Sequence, residues 1–461
     1  MSEPSERGDR RPDRIPSPGT TDGGRPERVL SAFDAAVLVG GVVLGVGVFR
    51  SPPVVAANVD GAALYLGLWV LGGAISLLGA LCYAELGTAY PDAGGEYHLV
   101  TRAYGPRTGF LVAWSRMTVI QTGSIAILAF VFGDYVADLV GLGWPASPAL
   151  AATVVLALTA VNVAGLHPGR WTQHLLTGGA VVGMTAVVVA GFLLAGGSGA
   201  RASPAGPASS GDGSVGLALV FVLLAYGGWS EGAYLSAEVR NRARGVGRAL
   251  LGGLGGVTLL YVAVNAAYLV GLGVDGTAAS DAVAAEILRR ALGSEVARAG
   301  GAAVLLAALS SANATIITGA RSNYALGRDW RLFRRLGRWD GERRTPVNAL
   351  LVQAAIALAL VGFGALRRSG FEAMVAYTTP VFWLVLLATG AAVVVLRRRE
   401  PNVERPFRVP GYPVTPVLFC AAAAYMTWAS IRYAGAGALL GLAVLAAGLP
   451  FLWSEVSGRA T

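Results

Sequence analysis

The chain contains no lysine: all 36 of its basic residues are arginine. Charge of either sign is scarce, at 14% of 461 residues, against about 25% in soluble proteins. With 54% hydrophobic residues and a mean hydropathy of +0.58, this scarcity excludes a soluble globular protein and makes lipid the main solvent. There are two cysteines, Cys82 and Cys420, both inside apolar runs, which argues against a disulfide framework or a cysteine metal site. The three histidines, His98, His167 and His174, lack metal-ligand spacing and read as solvated loop residues. No Ser/His/Asp set, paired carboxylates or His-metal cluster gathers at one face, so no enzyme, metal or cofactor is expected. A channel is disfavoured too, because no repeated polar or acidic ring is visible.

Apolar runs near twenty residues fill the chain from residue 30 onward, about the length a helix needs to cross a bilayer. They predict twelve spans: 31–58, 62–89, 106–136, 148–166, 174–196, 214–238, 246–273, 296–327, 346–364, 371–396, 414–432 and 436–454. Residues 1–29 are rich in Pro, Gly, Ser, Arg and acids, and are expected to form a disordered tail. Residues 30–455 form the transmembrane domain, and 456–461 a short second tail. Between the seventh and eighth spans, Asp281 to Arg290 alternates charged and apolar residues, as a short amphipathic helix would.

The net charge of +9 would suggest nucleic acid if it formed one patch. Instead it is distributed by side. With the N-terminus inside, the even-to-odd connections hold 20 arginines, among them Arg102, Arg170, Arg240, Arg335 and Arg397. The other side holds seven: Arg201, Arg289, Arg290, Arg298, Arg367, Arg368 and Arg432. This bias predicts cytoplasmic termini in a plasma (inner) membrane and removes the case for nucleic acid.

Two spans carry glycine clusters at similar depth. The first reads Gly40-Gly41-Val42-Val43-Leu44-Gly45-Val46-Gly47-Val48-Phe49, the sixth Leu224-Ala225-Tyr226-Gly227-Gly228-Trp229-Ser230-Glu231. Five spans apart, these segments run in opposite directions. Matched interruptions of this kind mark inverted-repeat transporters, where unwound backbone meets a polar substrate at mid-membrane. Half-helix N-termini suit a carboxylate and free carbonyls suit an ammonium, so the pair together suits an α-amino acid.

The order of motifs resembles the amino acid–polyamine–organocation superfamily, nearest its L-type amino-acid transporter branch. The resemblance rests on Gly45-Val46-Gly47 with Val48-Phe49-Arg50-Ser51-Pro52, on Tyr83-Ala84-Glu85-Leu86 and Gly94-Gly95-Glu96-Tyr97, and on Ala225 to Trp229 ending in Glu238. It continues through Ser311, Asn313, Arg321 and Tyr324 to Asp329, then Arg405 to Pro413. It implies an all-α fold with a 5+5 inverted repeat, discontinuous first and sixth helices and two further C-terminal helices. It also implies amino-acid transport, with a non-transporting sensor on the same fold as the alternative.

By the same resemblance, Gly45, Val46 and Gly47 offer N–H groups to the substrate carboxylate. The carbonyls of Val43, Leu224 and Gly227 take its amino group, and Asn313 borders the side-chain pocket. Leu224 stands where relatives often carry a bulky aromatic, Ser230 where the branch carries asparagine, and Ala180 where many carry a lysine seven residues after a glutamine, here Gln173. The loss of that lysine leaves coupling open between a proton and a counter-substrate. Arginine cannot replace it as a proton carrier, so Glu231 is the candidate if transport is proton-linked. Some eukaryotic relatives bind a single-span partner through a cysteine after the third helix; residues 137–147 contain none, so no such partner is expected.

Three ionisable residues lie well inside spans, where charge is costly and usually functional. Arg50 either lines an outer vestibule or snorkels. Arg116 either pairs with an acid on a neighbouring helix or snorkels. Glu231 either takes part in coupling or bonds to unwound backbone. Glu85, Glu96 and Glu238, at span ends, are expected to pair with loop arginines.

Overall fold

The computed structural model describes residues 31–196, 214–235, 242–280, 282–367 and 369–452. The tails 1–29 and 456–461, with Arg201, Glu238, Arg240, Asp281 and Arg368, lie outside the described residues. Among the described residues the chain is helical throughout, with one isolated bridge between Asp340 and Thr345.

The first span is two helices, α1 (Ala32–Val43) and α2 (Gly47–Ala56), and the second is α3 (Ala62–Ala89). A loop helix, α4 (Glu96–Tyr104), precedes a third span made of α5 (Pro106–Ser115), a π-turn over Arg116–Ile120, and α6 (Gln121–Leu139). Next come α7 (Ser147–Ala164) and α8 (Leu166–Gly196). The sixth span breaks into α9 (Val215–Ala225), a tight turn over Trp229–Glu231 and the short α10 (Gly232–Leu235). Then follow α11 (Arg242–Ala278), the loop helix α12 (Val283–Leu292), α13 (Ser294–Asp329), α14 (Val347–Gly364), α15 (Gly370–Arg399), α16 (Val414–Ala434) and α17 (Ala436–Ala446). Nine described helical segments are long and apolar enough to cross a membrane; the broken first and sixth spans and the short last one bring the passes to twelve. The chain is a multi-pass membrane protein.

Two expectations are corrected. The fifth span starts at Leu166, not at 174, because Arg170, Gln173 and His174 turn inward to polar partners and the helix does not need apolar residues there. The seventh runs over Arg242–Ala278 and kinks at Gly273, which has a φ of 74°.

The helices pack as an inverted repeat would require. The second span (α3) lies against the seventh (α11), and the α8–α13 contact is mirrored by α15 on α6. One apolar cluster gathers Val43, Tyr65, Trp69, Tyr226 and Tyr261; a second gathers Ile125, Phe130, Ile316 and Ala357. Leu224 packs against both. Outward-facing Leu175, Val182 and Leu259 are exposed, as lipid-facing side chains are.

Candidate substrate site

The first and sixth spans are broken side by side. A Cβ on Gly47 would stand 2.4 Å from the Ala225 Cα, so the start of α2 lies directly on the end of α9. Gly228 holds a φ of +99°, which favours glycine, and a Cβ there would meet Val42 at 2.3 Å. At Gly47 the backbones themselves touch, and at Gly228 the Val42 side chain fills the space a Cβ would need. Ser51 strengthens the junction by donating to the Phe221 carbonyl at 3.0 Å. Val42, Gly47, Leu224, Gly227 and Gly228 keep accessible surface although they lie at mid-span.

A helix end leaves carbonyls or N–H groups without intrahelical partners. At the end of α1, side chains from two other spans take up the carbonyls. Ser311 of α13 donates to Gly41 (2.8 Å) and Val42 (3.1 Å). Tyr261 of α11 donates to Val43 and, at 3.4 Å, to Ala225, tying both breaks to one hydroxyl. The Gly45 N–H also goes to Val43 (2.6 Å). At the start of α2 the opposite holds: the N–H groups of Val46, Gly47 and Val48 have no acceptor among the described residues. In the sixth span the Leu224 carbonyl accepts from the Gly227 N–H at 3.1 Å, and the Gly227 carbonyl has no donor among the described residues. Ser230 is buried, and its hydroxyl has no partner there either.

The open backbone groups therefore differ from those expected. Val43, Gly45 and Leu224 are engaged with protein, Val48 joins Val46 and Gly47 as an open donor, and Gly227 remains an open acceptor among the described residues. Asn313 is also placed differently. It is fully buried and spent on Asn162 (2.7 Å), the Gly169 carbonyl (3.2 Å) and Gln173 (3.0 Å), joining α7, α8 and α13. The residue of α13 that reaches the break is Ser311. Ala180 is fully buried in the apolar cluster that contains Val43 and Ala307.

Arg116 does not snorkel. It is fully buried, and its guanidinium forms ion pairs with Glu96 of α4 and Glu231 of the sixth span while lying over the Tyr234 ring. Tyr83 and Tyr234 also donate to Glu96, and Gln121 donates to the second oxygen of Glu231 at 3.0 Å. Glu96 thus has an intramembrane partner instead of the expected loop arginine. Glu85 behaves as expected, pairing with Arg397 and, at 3.4 Å, with Arg405.

Each half of the broken first helix has its own polar tie. Asp34 on α1 accepts from His174 at 2.9 Å and faces Arg170 at 3.6 Å, both on α8. His174, read from sequence as a solvated loop residue, is therefore part of an interhelix contact. Arg50 on α2 reaches Asp134 of α6 at 3.5 Å and lies over Phe371.

These features coincide with the family comparison. Residues 30–445 match the amino acid permease family. The chain belongs to that family. It is 30% identical over 401 residues to the b(0,+)-type amino acid transporter 1 of Mus musculus, covering 85% of this chain and 81% of that protein. It is 28% identical over 456 residues to the serine/threonine exchanger SteT of Bacillus subtilis, covering 96% and 100%. Against the large neutral amino acids transporter small subunit 2 of Homo sapiens it is 28% identical over 450 residues, covering 95% and 82%. This permease is an amino acid transporter by family. Tyr261 and Ser311 bond to the broken ends and Arg116 pairs with Glu231 beside them. Ser311 was visible in the sequence only as part of the family resemblance, Arg116 as a charge inside an apolar span, and Tyr261 not at all.

Proposed function

We propose that the permease carries neutral α-amino acids across the plasma membrane by alternating access, with both termini cytoplasmic. The observation that carries this reading is the contact of two broken antiparallel helices, with three open N–H groups on one and an open carbonyl on the other. The donors of Val46, Gly47 and Val48 receive the substrate carboxylate, aided by the positive end of α2. The Gly227 carbonyl receives the ammonium. Leu224 and Ser230 face the side chain. That side chain is neutral, because the acid beside the break, Glu231, is already bound to Arg116 and Gln121.

The same engagement supports exchange over proton-linked transport. Both oxygens of Glu231 hold protein donors, and no lysine stands beside the first helix. An exchanger among the relatives supports this choice. Thermal-shift measurements with the twenty amino acids, followed by the N-acetyl and methyl-ester derivatives of any that stabilise the protein, test the recognition mode. Both derivatives should lose the stabilisation. Retention by either would remove the corresponding backbone contact from the account.

A further inference from the structure

We propose that Arg116 is a positioning residue for transport: through Glu231 it holds the unwound stretch of the sixth span in register with the first. The proposal deepens the substrate site above and rests on that reading. Its basis is an unusual arrangement of charge. One guanidinium meets two carboxylates, and all three side chains are almost completely shielded. Arg116 opens the π-turn of the third span, and such turns inside α-helices frequently mark functional sites. Its two partners have unequal support. Glu96 is held by Arg116, Tyr83 and Tyr234, which fasten the loop helix α4 to α3 and α10. Among the described residues, the Glu231 carboxylate is held by Arg116 and Gln121, both from the third span. It directly follows Ser230 and lies four residues after Gly227. The turn from Gly227 to Glu231 has few bonds of its own, among them Glu231 N–H to Gly228 at 3.0 Å. The pair with Arg116 fixes where that turn stops.

The two carboxylates therefore do different work, and neutralising each has a different result. Breaking a buried ion pair is costly when it leaves one charge without a partner. Glu231→Gln avoids that, since Arg116 keeps Glu96 as a one-to-one pair. This variant should fold with near wild-type thermal stability but lose the fixed position of the sixth-span turn. Glu96→Gln leaves Arg116 on Glu231, so it should loosen α4 and lower stability while keeping the turn in place.

Hydrogen exchange of the Gly227–Glu231 amides, measured on purified full-length protein, reads the position without any substrate. Exchange there should accelerate in Glu231→Gln and not in Glu96→Gln. Counterflow of radiolabelled L-leucine in proteoliposomes reads the consequence. Apparent KM should rise about tenfold in Glu231→Gln, the scale of one lost charge-assisted contact. It should stay near wild type in Glu96→Gln. Unchanged exchange at the turn in Glu231→Gln would overturn the proposal, as would exchange, KM and stability shifting together in both variants. Failure of the wild-type protein to bind or exchange any amino acid would instead overturn the substrate reading, leaving the exchange result to stand alone.

Discussion

The Tyr261 hydroxyl donates to the Val43 carbonyl and lies 3.4 Å from that of Ala225, so one side chain of the seventh span touches the broken ends of both the first and the sixth. Ring contacts with Trp69 and Tyr226, at 6.1 and 5.2 Å between centroids, hold it in place. The breaks are thus built into the packing, with protein side chains taking up carbonyls that the helices cannot satisfy.

Tyr261→Phe keeps the ring and removes the bond. Leaving a buried carbonyl short of its partner costs about 1–3 kcal/mol. The variant should show a lower melting temperature and weaker amino-acid binding. An unchanged melting temperature and affinity would mean that the Gly45 N–H alone satisfies Val43.

The glycines at the breaks should separate by what surrounds them. A side chain at Gly47 meets the Ala225 backbone, so Gly47→Val should fail to assemble, whatever its effect on substrate. At Gly45 an added Cβ meets the Ser311 Oγ at 3.2 Å, and at Gly227 it meets the Leu224 carbonyl oxygen at 3.1 Å. Gly45→Ala and Gly227→Ala should therefore yield monodisperse protein with weakened binding. Size-exclusion profiles and titration of the three variants check this. A well-folded Gly47→Val would contradict the close approach of α2 and α9.

The ties on the two halves of the first helix should act in opposite senses. Asp34→Asn loosens α1 from α8, and Arg50→Gln loosens α2 from α6. The Arg50 pair is half exposed, so it is weak, of order 1 kcal/mol or less. A cysteine at Val42, in a background lacking Cys82 and Cys420, reports access from each side. Asp34→Asn should raise its labelling from the arginine-rich side and Arg50→Gln from the other. Changes of the same sign in both would show that these ties do not gate.

Loop carboxylates should make the solubilised protein acid-sensitive. Burial raises the pKa of Asp92, but the Arg328 guanidinium outweighs it and holds the group below its ordinary 3.8. Burial likewise opposes ionisation of Glu400, and the bonds from Arg102 win, leaving it below 4.5. A carboxylate with a lowered folded-state pKa stabilises fully above its unfolded value and loses that contribution as pH falls through the folded one. Melting temperature should therefore hold down to about pH 5 and decline below about pH 4. In Asp92→Asn the decline should be shallower.

Much of the fold was legible because bilayer thickness imposes a length on every span. The glycine clusters were legible because backbone contact leaves few other choices. What escaped were polar side chains on span interiors. Tyr261 looks like an ordinary member of an apolar run, and Ser311 stood out only as part of a motif; which carbonyls they take depends on what a distant break exposes. The partners of Arg116 lie 20 and 115 residues away. His174 was misread because polar residues at the start of α8 imitate a loop, when in fact Asp34 draws them inward.

Counterflow tests the central claim most directly. Proteoliposomes loaded with unlabelled neutral amino acids, L-serine and L-leucine among them, are diluted into the labelled form, with and without an imposed pH gradient. The account predicts transient accumulation of label that depends on internal substrate, ignores the gradient and weakens in Gly227→Ala. Saturable amino-acid binding with no counterflow would contradict transport and favour a sensor, and accumulation driven by the gradient in empty vesicles would contradict exchange.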